Sequence, residues 1–276
     1  MTKRLFIYIC FFASFHKVVA QDLFSFENSK KFGEYLLKSG QYEIASREYE
    51  RLVYLKPADD TLKLNLLKAY RLSNRTDLGI KRTLQLFPDQ SALPFDTALE
   101  YSKLLLNKQD WMGAREFWKE SKNLPADEKV LLNTTVSIFE SDFKAANGYL
   151  SKIQNKENYL AKNYASILDR GNLSQMKSPA LAGIMSTIIP GSGKAYTKNW
   201  KDGLVSMIFV GGMAFQSYRN FSNKGFKNYR GWVYGGIGLG FYLGNIYGSV
   251  KSAKNYNKKK INALQHEAST HFNLYY

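Results

Sequence analysis

Two places in the chain gather residues whose types could do chemistry, and both fail on spacing. Pro190-Gly191-Ser192-Gly193-Lys194 carries the glycines and lysine of a phosphate-cradling loop. Such a loop needs a glycine five residues before the Gly-Lys pair and a Ser or Thr after it to hold magnesium. Those places are Ile188 and Ala195. His266 and His271 enclose Glu267, as a metal-binding helix would, but the five-residue step sets the imidazoles about 140° apart at 3.6 residues per turn. Cys10 is the only cysteine in 276 residues, which excludes a disulfide framework, a multi-thiolate zinc site and a CxxC redox pair. No Ser/His/Asp or Cys/His set appears on a recognisable scaffold. The chain is therefore read as non-enzymatic, with no catalytic residue, no metal site and no cofactor.

With catalysis set aside, the elements that position side chains carry the reading. The charge is uneven: residues 21–178 hold 24 bases and 21 acids, whereas residues 179–276 hold 12 bases and only two acids. Met1–Ala20 has Lys3 and Arg4 ahead of the apolar run Leu5–Ser14, and small residues close before Gln21. That is the layout of a secretory signal peptide over residues 1–20. Cleavage there leaves a mature chain without cysteine, which suits an oxidising compartment.

From about Phe24 to Leu173 the periodicity is helical, with a spacing of 34–35 residues. Gly33, Leu36, Gly40, Ala45, Tyr49 and Pro57 are echoed by Leu67, Tyr70, Asn74, Gly79 and Thr83. A second echo is Ser102, Leu105, Trp111, Ala114, Trp118 and Pro125. The first and third copies match well; the second has Thr83 in an aromatic slot. A shortened fourth copy covers Asp127–Leu150 with Phe143 and Ala146, and a helix over about Glu157–Asp169 would cap the stack. This pattern resembles the tetratricopeptide repeat, a 34-residue helix–turn–helix unit. Its small residues mark where paired helices approach to roughly 8–10 Å. The resemblance implies a groove lined by the first helix of each pair, presenting Lys38, Lys68, Arg71, Lys103 and Asn107. Such a face could hold a partner's carboxylate or an acidic peptide.

After a short linker, residues 174–179, come two charge-free stretches, Gly203–Tyr218 and Gly231–Val250. At 1.5 Å per residue they reach roughly 24 and 30 Å, near the thickness of a hydrocarbon core. Trp200, Tyr218, Trp232 and Tyr247 stand near their ends, as interfacial rings do. Gly236, Gly240, Gly244 and Gly248 recur every four residues, a face on which a neighbouring helix could pack closely. Gly211 and Gly212 are its expected counterpart within the chain, with a second copy as the competing partner. The run Ala180–Tyr196, with Pro190-Gly191-x-Gly193 and Tyr196, then Trp200 and Gly203, resembles bacterial relatives of the TM2 domain, small membrane hairpins. The later Gly244-Asn245-Ile246-Tyr247-Gly248, Ala253 and Tyr256-Asn257 fit the same resemblance, with departures at Lys194 and at Thr197-Lys198, where Asn-Gly is common. It implies topology rather than an activity. Pro190, Gly191 and Gly193 are expected to break the helix and turn the chain into the first span.

Arg219, Lys224, Lys227 and Arg230 fill the connection between the stretches, and Lys251, Lys254, Lys258, Lys259 and Lys260 follow the second. Beside membrane segments such clusters are expected to meet anionic lipids rather than nucleic acid. Two spans would put the connection in the cytoplasm and the lysines outside; a third crossing by Ala180–Tyr196 would invert this.

The expectation is thus an all-α protein: a tetratricopeptide-like helical solenoid (21–173) followed by a transmembrane helical hairpin within a TM2-like domain (180–256), then a basic tail (257–276). It would sit in the bacterial cell envelope, integral to the inner membrane, with the repeats exported to the periplasm and a protein or peptide as partner. A homo-oligomer through the glycine-faced helix is the companion expectation. The other functional class is a membrane-embedded oligomeric module affecting membrane-protein insertion, lipid or solute passage.

Overall fold

The computed structural model describes residues 25–171 and 176–276. The expected signal peptide, with Cys10, lies outside the described residues, as do residues 172–175 around the start of the linker. Among the described residues every regular element is helical. The chain divides into two compact units between Leu124 and Pro125.

The first unit contains α1 (Phe26–Lys38), α2 (Tyr42–Leu55), α3 (Asp60–Leu72), α4 (Thr76–Leu86), a 3-10 turn (Gln90–Ala92), α5 (Phe95–Lys108) and α6 (Trp111–Glu120). The second contains α7 (Ala126–Phe139), α8 (Phe143–Leu150), α9 (Tyr159–Gly171), α10 (Pro179–Ile188), α11 (Ser192–Tyr196), α12 (Trp200–Lys224) and α13 (Tyr229–Tyr275).

One turn geometry joins the pairs α1/α2, α3/α4, α5/α6 and α7/α8. A left-handed residue stands at each: Gly40, Asn74, Gln109 and Ser141, spaced by 34, 35 and 32 residues. The next residue's N–H reaches five back, Gln41 to Leu36, Arg75 to Tyr70, Asp110 to Leu105 and Asp142 to Ser137, each at 2.9–3.0 Å. This pattern satisfies carbonyls left over at the end of the first helix. The same residue then opens the second helix, its carbonyl accepting from Ala45, Gly79, Ala114 or Ala146. The small residues therefore recur because turn and helix contact recur together.

Around them the first unit buries its apolar side chains. Tyr49, Leu52, Leu62, Leu66, Leu104 and Trp118 are fully covered, each contributing on the order of 1.5–3 kcal/mol or more. Trp118 Nε1 donates to Ser102 Oγ at 2.8 Å, and Ser102 Oγ donates to the Ala98 carbonyl at 2.7 Å. Thr83, in the aromatic slot of the second copy, is also buried and donates to the Gly79 carbonyl at 2.8 Å. The space beside it is taken by Leu104, which lies against Gly79.

The second unit departs from expectation in three ways. The unit boundary falls before the fourth pair, so α7–α9 pack with the C-terminal helices. Residues 257–276 are not a tail. They are the end of α13, whose 47 residues extend about 70 Å, and they are seated on α7 and α9. Leu264, Ala268 and Phe272 are buried there. Gln265 Nε2 donates to the Phe139 carbonyl at 2.7 Å, serving the end of α7, and Arg170 donates to Glu267 at 2.6 Å. Tyr275 and Tyr276 both donate to Glu128. The apolar spacing of 264, 268 and 272 supplies the reason: this stretch is amphipathic, with Lys258 and Lys259 exposed and Lys260 half-buried.

The third concerns the expected spans at 203–218 and 231–250, which are not confirmed. Among the described residues no helix is long and apolar enough to cross a membrane. Length is not what fails. Gly231–Val250 contains seven glycines, three tyrosines, Asn245 and Ser249, so few of its side chains carry aliphatic surface.

Candidate functional site

The cationic face expected on the first helices is divided by a residue that spacing did not single out. Glu100 on α5 is only 1% exposed, and Arg71 of α3 donates to both its oxygens. Lys103 Nζ lies 3.6 Å from the same carboxylate. Burial lowers the Lys103 ammonium below its usual range while Glu100 holds it up; nearby Arg71 and Lys68 push it down as well. Arg71 and Lys103 thus share one negative charge, with Lys68 close enough to act on Lys103, leaving the cluster cationic.

Lys38 and Lys68 line a separate cavity of about 400 Å³ with Glu34, Asn65 and Tyr49. Burial, with Glu34 nearby, raises the Tyr49 phenol to about 12, so it remains a neutral hydrogen-bonding group. Asn107 is exposed at the end of α5. The structure therefore gathers four of the five expected residues into two neighbouring polar sites in the first unit. The missed signal was Glu100, an acid three residues before a lysine and on the core side of its helix.

In the second unit the turn motif is built by backbone proximity. Pro190 follows Ile189, held extended at φ −126° and ψ 108°, as a residue before proline prefers, and α10 ends there. Gly191 has φ +89°, and a Cβ on it would lie 2.0 Å from the Gly203 carbonyl oxygen. A Cβ on Gly193 would lie 1.9 Å from that of Ala182. Tyr196 accepts from the Ser178 N–H at 3.2 Å, with Lys177 Nζ 4.4 Å from its ring centroid.

A neutral polar knot fastens this turn to α13. Gly191 N–H donates to Asn245 Oδ1 at 3.1 Å, and Gly193 N–H to Ser186 Oγ at 3.0 Å. Ser186 and Ser249 share a 2.7 Å hydroxyl contact, and Thr197 and Ser252 one of 2.6 Å. Asn257 bonds both the N–H and the carbonyl of Lys177.

The packing stripe of α13 is thus Asn245, Ser249, Ala253 and Asn257, one residue out of phase with the glycine series. A Cβ on Gly236, Gly240 or Gly244 would meet nothing within 4 Å, and the same is true of Gly211 and Gly212. The expected glycine-to-glycine contact inside the chain is not made. Gly231, Gly235 and Gly238 face α12 instead, against Phe221, Ser217 and Met213. Gly248 lies under the Lys194 side chain, 3.2 Å from its Cε. Gly240 and Gly244 border a cavity of about 560 Å³ between α12 and α13.

Among the described residues no group of three or more His, Cys, Asp or Glu could hold a metal ion. His271 has a structural contact, its Nδ1 2.7 Å from the Tyr159 hydroxyl. Comparison with family models, curated proteins and solved structures finds no match.

Proposed function

We infer that the protein is a membrane-tethered scaffold: a tetratricopeptide-like helical array presenting a binding surface for an acidic peptide or protein segment, held in the cell envelope by a TM2-like C-terminal module. One observation carries the reading. Among the described residues, 21 of the 33 exposed large apolar side chains fall between Leu181 and Tyr247. A water-facing surface rarely keeps so much apolar area together unless something covers it. Among the described residues no single helix meets the demands of a span, so α12 and the first half of α13 are read as a wedge lodged in lipid jointly. The neutral hydrogen bonds that fasten the Pro190-Gly191 turn to α13 suit a low-dielectric surrounding, where unpaired polar atoms are costly.

The recognition half of the reading is supported by the four recurring turns and by the cations around Glu100. Charge-assisted hydrogen bonds from Lys68 and Lys38 would hold a carboxylate.

Flotation of the full-length protein with phosphatidylcholine vesicles tests the tether, and fluorescence anisotropy with an acidic peptide tests the surface. Co-flotation and peptide binding that is lost in a Lys38→Glu, Lys68→Glu variant are the expected results. A protein that stays monodisperse in buffer without lipid or detergent overturns the tether. Equal binding of acidic and basic peptides overturns the recognition surface.

A further inference from the structure

The cavity between α12 and α13 is apolar along one part and cationic at the other, and Lys194 stands where the two meet. Its apolar part is about 560 Å³, lined by Val205, Phe209, Ile237 and Phe241 over the bare backbone of Gly240 and Gly244. That volume lies in the range of small-molecule sites. A second basin of about 540 Å³ adjoins it, sharing Lys194 and lined also by Lys198, Lys251, Lys259 and Gly248. Lys194 Nζ donates to Ser206 Oγ at 2.7 Å, and its stem lies across Gly248.

The charge balance of the basin is one-sided. Asp202 is its only carboxylate, and Asn199 Nδ2 donates to it at 2.7 Å. Among the described residues the ammonium groups of Lys194, Lys198, Lys251 and Lys259 make no ion pair. A half-buried lysine at the mouth of an apolar channel, with three more beside it, suits a ligand whose anionic head and hydrocarbon chain are joined.

We propose that this two-part cavity binds a single anionic phospholipid, its phosphate at Lys194 and the flanking lysines and one acyl chain over Gly240 and Gly244. The inference rests on the membrane reading above and sharpens it from general adhesion to a defined site. It also gives the four-residue glycine series a use: Gly248 lets Lys194 lie flat, while Gly240 and Gly244 leave the channel floor open.

The test uses the full-length protein in neutral detergent, with equal amounts of chain-matched phosphatidylglycerol and phosphatidylcholine, and native mass spectrometry to count retained lipid. Glycerol phosphate serves as the head group alone. One phosphatidylglycerol per chain is expected, with phosphatidylcholine and glycerol phosphate retained far less. Lys194→Gln should cut the preference for the anionic lipid about fivefold, the effect of one charge near a lipid surface. Gly244→Leu should abolish retention, because a Cβ there meets nothing of the chain within 4 Å and the added side chain takes up channel space meant for the acyl chain. Lys144→Gln, on the exposed side of α8, should change neither.

Equal retention of both lipids overturns the proposal, as does retention unaffected by both site variants. A dimer that Gly244→Leu dissolves while lipid count is unchanged also overturns it, since the channel would then receive a second copy. Should Gly244→Leu fail to fold, a Lys194→Gln, Lys251→Gln variant decides by the same preference. A protein that floats with vesicles but shows no lipid preference sinks this site alone. One that does not float sinks the tether.

Discussion

The two units bury polar atoms by different chemistry. In the first, a carboxylate is taken almost wholly out of water at Glu100 and balanced by Arg71 and Lys103. In the second, the knot at Ser186, Asn245 and Ser249 contains hydroxyls, one amide and backbone N–H groups, with no charge at all. The difference follows the surface each unit offers around its polar centre. A charged cluster beside water keeps solvent and partners near its exposed side, so Lys68 remains usable. A neutral cluster among Gly, Ile and Phe keeps its strength when the surrounding medium is apolar, where a lone charge would cost several kcal/mol.

The sharpest way to break this contrast acts on the far end of α13. Phe272→Ala should lower the stability of the second unit by about 4 kcal/mol, as for a buried aromatic with little room to collapse. Were residues 257–276 a solvated tail, thermal unfolding of the variant would match that of the parent. Next comes the charged centre. Glu100→Gln should cost about 3 kcal/mol, because Arg71 and Lys103 lose their counter-ion while remaining partly buried. It should also tighten binding of an acidic peptide, since the cluster gains a unit of positive charge. A loss of both stability and peptide affinity would show instead that Glu100 shapes the binding surface. The neutral centre should be softer: Ser249→Ala removes a hydroxyl pair for about 1.5 kcal/mol. An effect as large as that of Glu100→Gln would erase the distinction between the two centres.

The same contrast explains how much could be read from the sequence. Helix pairs were legible because turn, small residue and large residue repeat together, as at Gly40/Ala45/Tyr49 and Gln109/Ala114/Trp118. The turn at Pro190-Gly191 was legible because only residues without side-chain bulk fit beside Gly203 and Ala182. Glu100 was not, since a charged residue on a helix reads as solvated unless its cross-helix partner, 29 residues earlier, is known. The fate of residues 257–276 was hidden for a related reason. Five lysines between 251 and 260 dominate the composition, while Leu264, Ala268 and Phe272 form a sparse stripe whose partner surface lies on α7 and α9. The glycine series misled by one residue: period four marks a face, but only the neighbours on either side tell which face is covered.

Two smaller effects bear on the second unit. Lys198 has φ +64°, at a turn where the Asn199 N–H reaches back to the Lys194 carbonyl at 2.9 Å. This is the geometry of the four earlier turns, with a residue that pays for left-handed backbone where glycine would not. Lys198→Gly should raise stability by about 1 kcal/mol, measured as a higher melting temperature, and a lower one would mean that its side chain contributes packing.

The smallest expected effect concerns Arg170 and Glu267, which tie the end of α13 to α9. The Arg170 hydrogen bond holds the Glu267 carboxyl below its ordinary value of 4.5, with burial opposing. Because the folded value is depressed, the unfolded chain binds more protons in this range, so stability rises with pH through it. The contribution is complete above about pH 4.5 and fades as the pH falls through the lower folded value. Both side chains are more than a third exposed, which limits the pair to under about 1 kcal/mol and makes it sensitive to salt. Glu267→Gln should therefore match the parent in acid and fall slightly below it at neutral pH, with the gap closing in high salt. A gap that persists unchanged in acid would mean that the side chain acts by packing rather than by charge.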